Sequence, residues 1–389
     1  MNKLCEMSEM ELAELMCTTM MKKFRANEIP PIGRFHYHMG VFLSGVEQTF
    51  LNTGKREYAD YIKKAMDSFV TDEGEVIGSN PAKLDDKQPA ILLFRILDET
   101  GEEKYEKAIK FLKHGLDSWP LTKDGGFWHM NQDDVREQMW LDSIYMAGEL
   151  LARFGARYND IECFDAVCRQ ARLMWNNMRD KKTGLLYHAW DTSREAPWAD
   201  KENGLSAEFW GRAAGWYITA LTTIIEYLPD DYTGRKELIG YVREYVDAVV
   251  RVQDEKTGLW YQVLDKGDRA DNWIETSCSA LFLCGITKAL KAGYIDDKYE
   301  KNADMAFNGL KSVLKLNDDG DLICPSVCIG TGIGSYSYYI ERPVSDNDLH
   351  GVGAFLLGLN AYHQFKKNRL KTIAQKERKH ERIFAASNQ

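Results

Sequence analysis

Short glycine turns recur along this chain of 389 residues, about 50 to 75 residues apart. Each turn is rich in Asp, Thr or Lys, and an aromatic or aliphatic residue follows the glycine within two positions. The turns contain Gly74, Gly125, Gly184, Gly258 and Gly320. Helix formers at helical spacing fill the intervals, and convincing long strands are absent. A period of this size is typical of stacked two-helix units.

Eight segments with helical periodicity lie around these turns. They are Tyr58–Val70, Ala90–Asp98, Tyr105–Leu116, Ile161–Met178, Trp210–Tyr227, Arg235–Val252, Thr276–Ala292 and Tyr299–Leu314. With Gly33–Asn52 as the start of a sixth unit, the pattern predicts an all-α fold, an (α/α)6 six-hairpin barrel. We expect one catalytic domain over residues 1–370 and a polar, basic tail over 371–389. An open superhelix is the alternative, but aromatic residues after each turn favour the lining of a shared mouth.

Charge and composition exclude several kinds of partner. A net charge of -9 disfavours nucleic acid, although a small acidic ligand could still bind locally. No transmembrane span is present, and the N-terminal stretch MNKLCEMSEMELAELM lacks the pattern of a secretory leader. We therefore expect a cytoplasmic protein without a membrane partner, as a monomer or homodimer.

The eight cysteines are scattered, without the spacing of a metal site. They are Cys5, Cys17, Cys163, Cys168, Cys278, Cys284, Cys324 and Cys328. Without a leader, such cysteines are typical of reduced cytosolic thiols. The sequence indicates no metal and no other cofactor.

Asp142 is the most informative acid in the sequence. It lies in the stretch Asp133–Gly155, where apolar residues cover nearly every direction of a helical wheel. Because a helix that is apolar all round is normally buried, we expect Asp142 to be desolvated and its pKa to be raised. Such an acid can donate a proton near neutral pH. The alternative is a structural Asp that caps a turn or pairs with an Arg.

Aromatic, His and Arg residues cluster after the turns. The segments are GGFWH from Gly125, LYHAWD from Leu186 and WGRAAGWY from Trp210. Trp and Tyr offer flat apolar faces to sugar rings, and an Arg can grip a carboxylate with two hydrogen bonds. Each residue alone is more often part of the core, but their joint placement favours a site for an acidic sugar.

Several segments resemble glycoside hydrolase family 105, the unsaturated rhamnogalacturonyl hydrolases. They are MWLDSIYMAGELLARFG, FWHM, YHAWD, WGRAAGWYITAL and SYSYYIERPVSDNDLHGVGAFLLGL, within a likeness from about Phe35 to Leu359. The resemblance implies a six-hairpin barrel without a metal. It also implies removal of Δ4,5-unsaturated galacturonic acid from the non-reducing end of pectin-lyase products, which are small acidic unsaturated oligosaccharides.

The resemblance also implies roles for single residues. Asp142 would donate the proton, and Asp85 would be the second acid, with Asp86 a less favoured occupant of that position. His188 and Arg212 would bind the uronate carboxylate and ring, and Asn347 and Asp348 would order a closing loop. The residues expected in the wall of the substrate pocket are Tyr37, His129, Trp140, Trp210 and Trp216.

Departures from the family pattern and alternative functions remain open. Ala213 and Ala214 stand where the family usually has Gly and Asn, and LDDKQPA is a loose form of another family segment. A hydrolase of unsaturated glucuronyl groups from glycosaminoglycans would share the fold and mechanism. A non-catalytic α/α toroid that binds sugars is the alternative from another class. A sugar epimerase is less favoured, because the chain offers mainly His129 and His188 for the several pocket histidines expected there.

Overall fold

A computed structural model describes the backbone of residues 3–387 and the side chains of residue 4 and residues 6–372. Thirteen α-helices lie in this part of the chain, in the order α1 (Glu9–Lys23), α2 (Tyr37–Thr53), α3 (Arg56–Asp67), α4 (Ile91–Thr100), α5 (Glu103–Asp117), α6 (Asp142–Tyr158), α7 (Ile161–Met178), α8 (Gly211–Tyr227), α9 (Thr233–Val250), α10 (Thr276–Lys291), α11 (Glu300–Val313), α12 (Tyr336–Ile340) and α13 (Leu349–Ser387).

The predicted six-hairpin α/α barrel is confirmed. Helices α2, α4, α6, α8, α10 and α13 form an inner ring in which each packs against the next, and α13 closes it against α2. Nearly every residue of α8 and α10 is buried, as expected for helices covered on all sides. The outer helices alternate with the inner ones along the chain, and each presents one apolar face to the ring. The contact between α2 and α13 excludes an open superhelix.

Glycine permits the close approach that closes the ring. A Cβ atom on Gly45 of α2 would lie 2.6 Å from the Cβ atom of Leu356, and one on Gly353 of α13 would lie 2.3 Å from the carbonyl oxygen of Val41. Glycine inside a helix costs about 0.5–1 kcal/mol relative to alanine. At these two positions that cost is offset by packing of the first inner helix directly on the last.

The recurrent glycine turns lie in the segments that connect each outer helix to the next inner helix. All five glycines have a positive φ, between 75° and 90°, which a residue with a side chain rarely adopts. Short antiparallel bridges such as Val70 to Val76 and Leu121 to Phe127 flank the turns. The turns therefore gather at the end of the barrel where the inner helices begin.

Strands are short in the described part of the chain. They are β1 (Gln138–Trp140), β2 (Ala189–Asp191), β3 (Lys315–Leu316), β4 (Leu322–Ile323), β5 (Val327–Cys328) and β6 (Val344–Ser345). They pair antiparallel as β1 with β2, β3 with β4 and β5 with β6. No described helix has the length and apolarity needed to cross a membrane.

The predicted helix over Asp133–Gly155 is wrong in its first part. The chain forms a short 3-10 turn at Asp133–Val135, then β1, and the helix begins at Asp142. Trp140 pairs with Ala189 in the β1–β2 ladder, and this pairing holds the preceding residues extended. The proposed tail over 371–389 continues helix α13 as far as Ser387, while its last two residues, 388 and 389, lie outside the described residues.

Candidate active site

The candidate site lies at the N-terminal ends of the inner helices. Tyr37 is the first residue of α2, Asp142 the first of α6, Arg212 the second of α8 and His350 the second of α13. Helix N-termini carry partial positive charge and free N–H groups. The ring of helix starts therefore favours an anionic ligand at this end of the barrel.

Strand pairing brings Asp142 and His188 together. Trp140 pairs with Ala189, and the backbone N–H of Leu141 donates to the carbonyl of His188 at 3.0 Å. The side chains that follow then meet, with His188 Nε2 3.1 Å from Asp142 Oδ2. Asp142 is 9% exposed and His188 is fully buried. The dry environment predicted for Asp142 is therefore present.

Tyr339 fixes the protonation of His188. Its hydroxyl lies 2.8 Å from His188 Nδ1 and also accepts the backbone N–H of Gly334 at 3.4 Å. The phenolic O–H is then free to donate to Nδ1, which leaves the imidazole proton on Nε2. Burial lowers the pKa of His188, so a neutral imidazole donates its Nε2–H to the carboxylate of Asp142.

The expected rise in the pKa of Asp142 is wrong. Burial is the largest single influence and raises it, but the hydrogen bond from His188 and the smaller contributions of His129 and a backbone N–H together outweigh burial, and the pKa lies below its ordinary value. The position of Asp142 at the start of α6 acts in the same direction, because a helix N-terminus favours negative charge. In the unliganded protein, Asp142 is therefore a carboxylate at neutral pH.

Asp85 is the acid that titrates near neutrality. Burial and then the charge of Asp142 raise its pKa to about 7, with a further contribution from Asp86. Asp86 is fully buried and accepts the backbone N–H of Asn80 at 2.6 Å, with Arg34 3.7 Å away. Of the two acids, Asp85 is therefore the one whose pKa responds to the charge of Asp142.

Aromatic rings surround the Asp142–His188 pair. His129 stacks on Trp140 with ring centroids 4.2 Å apart, and Trp140 meets His188 edge-on at 5.7 Å. Trp210 also packs against His188, with ring centroids 4.6 Å apart. His129 Nδ1 also contacts Ser143 Oγ at 3.1 Å, and burial lowers the pKa of His129 to about 4.

Arg212 joins the site to the loop before α13. Its guanidinium stacks on Trp210 at 4.5 Å and donates to the carbonyls of Cys328 and Ile329 at 2.5 and 2.8 Å. The carboxylate of Glu275 lies 3.9 Å away. Since a guanidinium carries five donors, the two bonds to the loop leave capacity for a ligand.

Trp216 and Tyr37 occupy different surroundings. Trp216 is 1% exposed and packs on Tyr145 at 4.2 Å, which places it in the core between α8 and α6. Tyr37 is half-buried, and its hydroxyl lies 2.9 Å from His38 Nε2. The structure thus brings six of the predicted residues into one contact network, namely His129, Trp140, Asp142, His188, Trp210 and Arg212. Asp85 and Tyr37 are coupled to Asp142 through charge.

Asn347 ties the ends of the loop before α13. Its amide oxygen accepts the backbone N–H of Cys324 at 2.7 Å, and its amide nitrogen donates to the carbonyl of Leu322 at 2.8 Å. Asp348 instead faces His350. The expected ordering role therefore fits the contacts of Asn347, while Asp348 belongs to a different group of side chains.

Sequence reasoning missed Tyr339, Glu275, His38 and His350. Tyr339 was part of the segment SYSYY, but three Tyr residues in close succession gave no reason to single it out. His38 and His350 are far apart in the chain, so their spacing carried no signal. In the described part of the chain, His38, Asp348 and His350 lie close together, but His350 Nδ1 already pairs with Asp348 Oδ1 at 2.7 Å, which opposes a metal ion there.

Comparison with known proteins places the chain among glycoside hydrolases. The family model described as Glycosyl Hydrolase Family 88 matches residues 12–366. A solved family 105 glycoside hydrolase from C. acetobutylicum ATCC 824 is 33% identical, with a TM-score of 0.86 over 90% of this chain and 99% of that one. The unsaturated rhamnogalacturonyl hydrolase YesR of Bacillus subtilis (strain 168) is 29% identical over 67% of this chain and 71% of its own length. An unsaturated glucuronyl hydrolase from Bacillus sp. GL1, 17% identical, shares the fold with a TM-score of 0.66 over 90% of this chain and 95% of that one.

The hydroxyl of Tyr339 should stabilise the folded protein through His188. Tyr339→Phe leaves the buried Nδ1 atom without its donor, which costs about 1–3 kcal/mol of unfolding free energy. The nitrogen NMR signals of His188 should also show loss of the single Nε2–H tautomer.

Tyr338→Phe is the matched control for that measurement. Tyr338 is adjacent and half-buried, and its hydroxyl accepts the backbone N–H of Gly332 at 3.1 Å. Its substitution should leave the His188 signals unchanged. Unaltered His188 signals in Tyr339→Phe would show that Tyr339 does not set the tautomer.

Proposed function

The chain belongs to the glycoside hydrolases of families 88 and 105, and from that premise we propose that it removes Δ4,5-unsaturated galacturonic acid from unsaturated rhamnogalacturonan oligosaccharides. The observation that carries the proposal is the pair Asp142 and Asp85, which lies within a ring of helix N-termini beside Arg212. Two carboxyls with opposite pKa shifts suit transfer of a proton. The positive helix ends suit a uronate. The likeness to YesR supports the choice of a rhamnogalacturonan substrate.

The proposed reaction adds water across the double bond of the unsaturated sugar. A proton delivered to C4 leaves an oxocarbenium ion at C5, and water attacks C5 and gives up a proton. The resulting hemiketal opens and releases the oligosaccharide that was bound to C1. This chemistry needs one well-placed proton donor and a carboxylate to receive the proton of water, and each step can be carried by side chains of the site.

We assign the delivery step to Asp142 and the supply of the proton to Asp85. Asp142 is held by His188 in a fixed orientation, which suits delivery to one carbon atom. It is a carboxylate in the free protein, so a proton must reach it. Asp85 is partly protonated near pH 7, and its pKa responds to the charge of Asp142. The substrate carboxylate would raise the pKa of Asp142 by like-charge repulsion and so favour the transfer.

Arg212 and the aromatic rings are proposed to bind the sugar. Arg212 keeps donors that its bonds to the loop carbonyls do not use, and a guanidinium binds a carboxylate with two parallel hydrogen bonds. The stacked rings of His129 and Trp140 offer an apolar face to the sugar ring. Trp216 is better explained as support beneath the site, because it is packed in the core.

We also propose that the protein works in the cytoplasm on imported oligosaccharides. The seven cysteines whose state the structure gives are free, buried thiols, which suits a reducing compartment. Cell fractionation tests the location, and recovery of the protein in the culture medium would contradict it.

The direct test of the function is loss of the double bond. Incubation with unsaturated rhamnogalacturonan oligosaccharides should lower the ultraviolet absorbance of the enol ether and release a product that begins with rhamnose. Unsaturated chondroitin and heparin disaccharides serve as the comparison. Faster turnover of those disaccharides would favour the glucuronyl alternative, and no turnover of any unsaturated substrate would favour a protein that only binds sugars.

Substitution of Asp142 tests the proton donor. Asp142→Asn keeps the size of the side chain but cannot deliver a proton, so turnover should fall by roughly 10²–10⁴. Asp191→Asn is the matched control, because it changes a buried acid that accepts the backbone N–H groups of Ser193 and Ala196. Turnover per folded molecule should remain near the parent value in the control. An Asp142→Asn variant that is less stable but fully active would end the assignment.

The pH profile tests the contribution of Asp85. A carboxyl with a pKa of about 7 holds its proton below that pH and loses it above, so turnover should decline as the pH rises through about 7. In Asp85→Asn this decline should disappear, with a lower maximal rate. If turnover of the variant still declines as the pH rises through about 7, another group supplies the proton.

A further inference from the structure

Two cationic side chains flank the mouth of the barrel on the side where α2 begins. Arg34 lies three residues before the start of α2, and Lys83 lies two residues before Asp85 in the segment between α3 and α4. The backbone of Lys83 pairs with that of Met130, the neighbour of His129. We propose that Arg34 and Lys83 bind a second uronate, in the third sugar of the substrate, and so select oligosaccharides longer than a disaccharide. This proposal rests on the proposed function, because uronate and rhamnose alternate in the backbone of that substrate.

Lys83 is a half-buried cation without a partner. Among the described residues, its ammonium group forms no hydrogen bond and no ion pair. Its charge nevertheless acts on three groups of the mouth, namely Asp85, His36 and the almost completely buried His129. Burial is the largest influence on the pKa of each group, and Lys83 lowers all three pKa values. This reach indicates an ammonium group at the edge of the substrate pocket, because a charge directed into solvent is screened.

Arg34 keeps most of its hydrogen-bonding capacity. Its side chain is 44% exposed, and its one ion-pair partner among the described residues is Asp86, at 3.7 Å. That separation is longer than a hydrogen bond, and Asp86 already accepts the backbone N–H of Asn80 at 2.6 Å. A guanidinium has five N–H donors, so Arg34 can bind a carboxylate with two parallel hydrogen bonds.

The two cations differ in sign from the protein as a whole. A net charge of -9 repels an acidic oligosaccharide at long range. Near Arg34 and Lys83 the acids are Asp85 and Asp86, and burial raises the pKa of both, so that Asp85 is partly neutral near pH 7. His36 adds no charge at that pH, because burial and then the two cations lower its pKa to about 4. The balance of these groups is therefore positive, which favours an additional carboxylate.

The packed core under the site directs the oligosaccharide toward the mouth. Trp216 packs on Tyr145 between α6 and α8, so the sugars beyond the reacting one extend through the mouth and past its rim. The second sugar, rhamnose, is neutral. The third sugar is again a uronate, and it is the first part of the departing oligosaccharide that a cation can recognise by its charge.

The experiment compares an unsaturated disaccharide with the corresponding tetrasaccharide, which alone carries the second uronate. In the parent, kcat/KM should be higher for the tetrasaccharide. In Lys83→Gln the ratio of the two values should fall about fivefold, mainly through KM, as expected for loss of a partly exposed ion pair. Both substrates are assayed at one pH, because loss of Lys83 also affects the pKa of Asp85. An unchanged ratio, or an equal loss for both substrates, would overturn the proposal.

Further variants and salt test whether charge is the cause. Lys83→Arg keeps the positive charge and should retain the ratio, whereas Arg34→Gln should lower it. Added salt should lower the ratio in the parent. Lys236→Gln is the matched control, because Lys236 is exposed in the first turn of the outer helix α9, at the end of the barrel away from the mouth. The proposal fails if Lys83→Arg loses as much as Lys83→Gln, or if Lys236→Gln lowers the ratio to the same extent.

Binding of a saturated trisaccharide separates this proposal from the proposed function. The trisaccharide rhamnose–galacturonate–rhamnose is the expected product, has its one carboxylate on the middle sugar and requires no turnover. Calorimetry should show about fivefold weaker binding to Lys83→Gln than to the parent. If no unsaturated substrate is turned over but this difference is present, the proposed function fails and the second uronate site stands. If the substrates are turned over and the trisaccharide binds both proteins equally or not at all, the second uronate site fails and the function stands.

Discussion

Closure of the inner ring is the constraint on which the rest of this structure depends. The six inner helices can start at one end and converge only if α13 returns to pack directly on α2. Gly45 and Gly353 allow their backbones to approach. A polar contact then fixes the register, because Asn360 donates to Thr49 Oγ1 at 2.9 Å inside this apolar interface. A buried amide without a hydrogen-bond partner costs free energy, so this bond favours the observed register of the two helices over others.

The same closure creates the electrostatics of the site. Six helix starts face one mouth, and their partial positive charges act together with Arg212 on whatever binds there. Acids in this field are held ionised unless burial or a neighbouring acid opposes it. Asp142 and Asp85 differ for this reason. Burial raises the pKa of both acids, but Asp142 also receives a hydrogen bond from His188 that helps to lower its pKa, whereas the negative charge of Asp142 raises the pKa of Asp85 further.

The segment between α11 and α13 links the closure of the inner ring to the electrostatics of the site. Its Tyr339 orients His188, and its backbone carbonyls at Cys328 and Ile329 hold Arg212. The carbonyl of Cys328 also accepts from His350. This one loop thus positions three side chains of the site. They are His188, which is hydrogen-bonded to Asp142, the guanidinium of Arg212, and His350 in the first turn of α13. A change in its backbone would alter all three together.

The sequence by itself determined the helices, the turns and the kinds of residues at the mouth. Glycines at regular intervals require a positive φ, and helical periodicity between them is a local property that needs no knowledge of distant contacts. Asp142, His188 and Arg212 could be identified because they stand within recognisable segments. The tertiary structure decided where the helix of Asp142 begins, which way its pKa moves, and that Trp216 belongs to the core. It also decided that His38 meets His350. Protonation and packing depend on neighbours in space, and His188 lies 46 residues from Asp142 and 151 residues from Tyr339 in the chain.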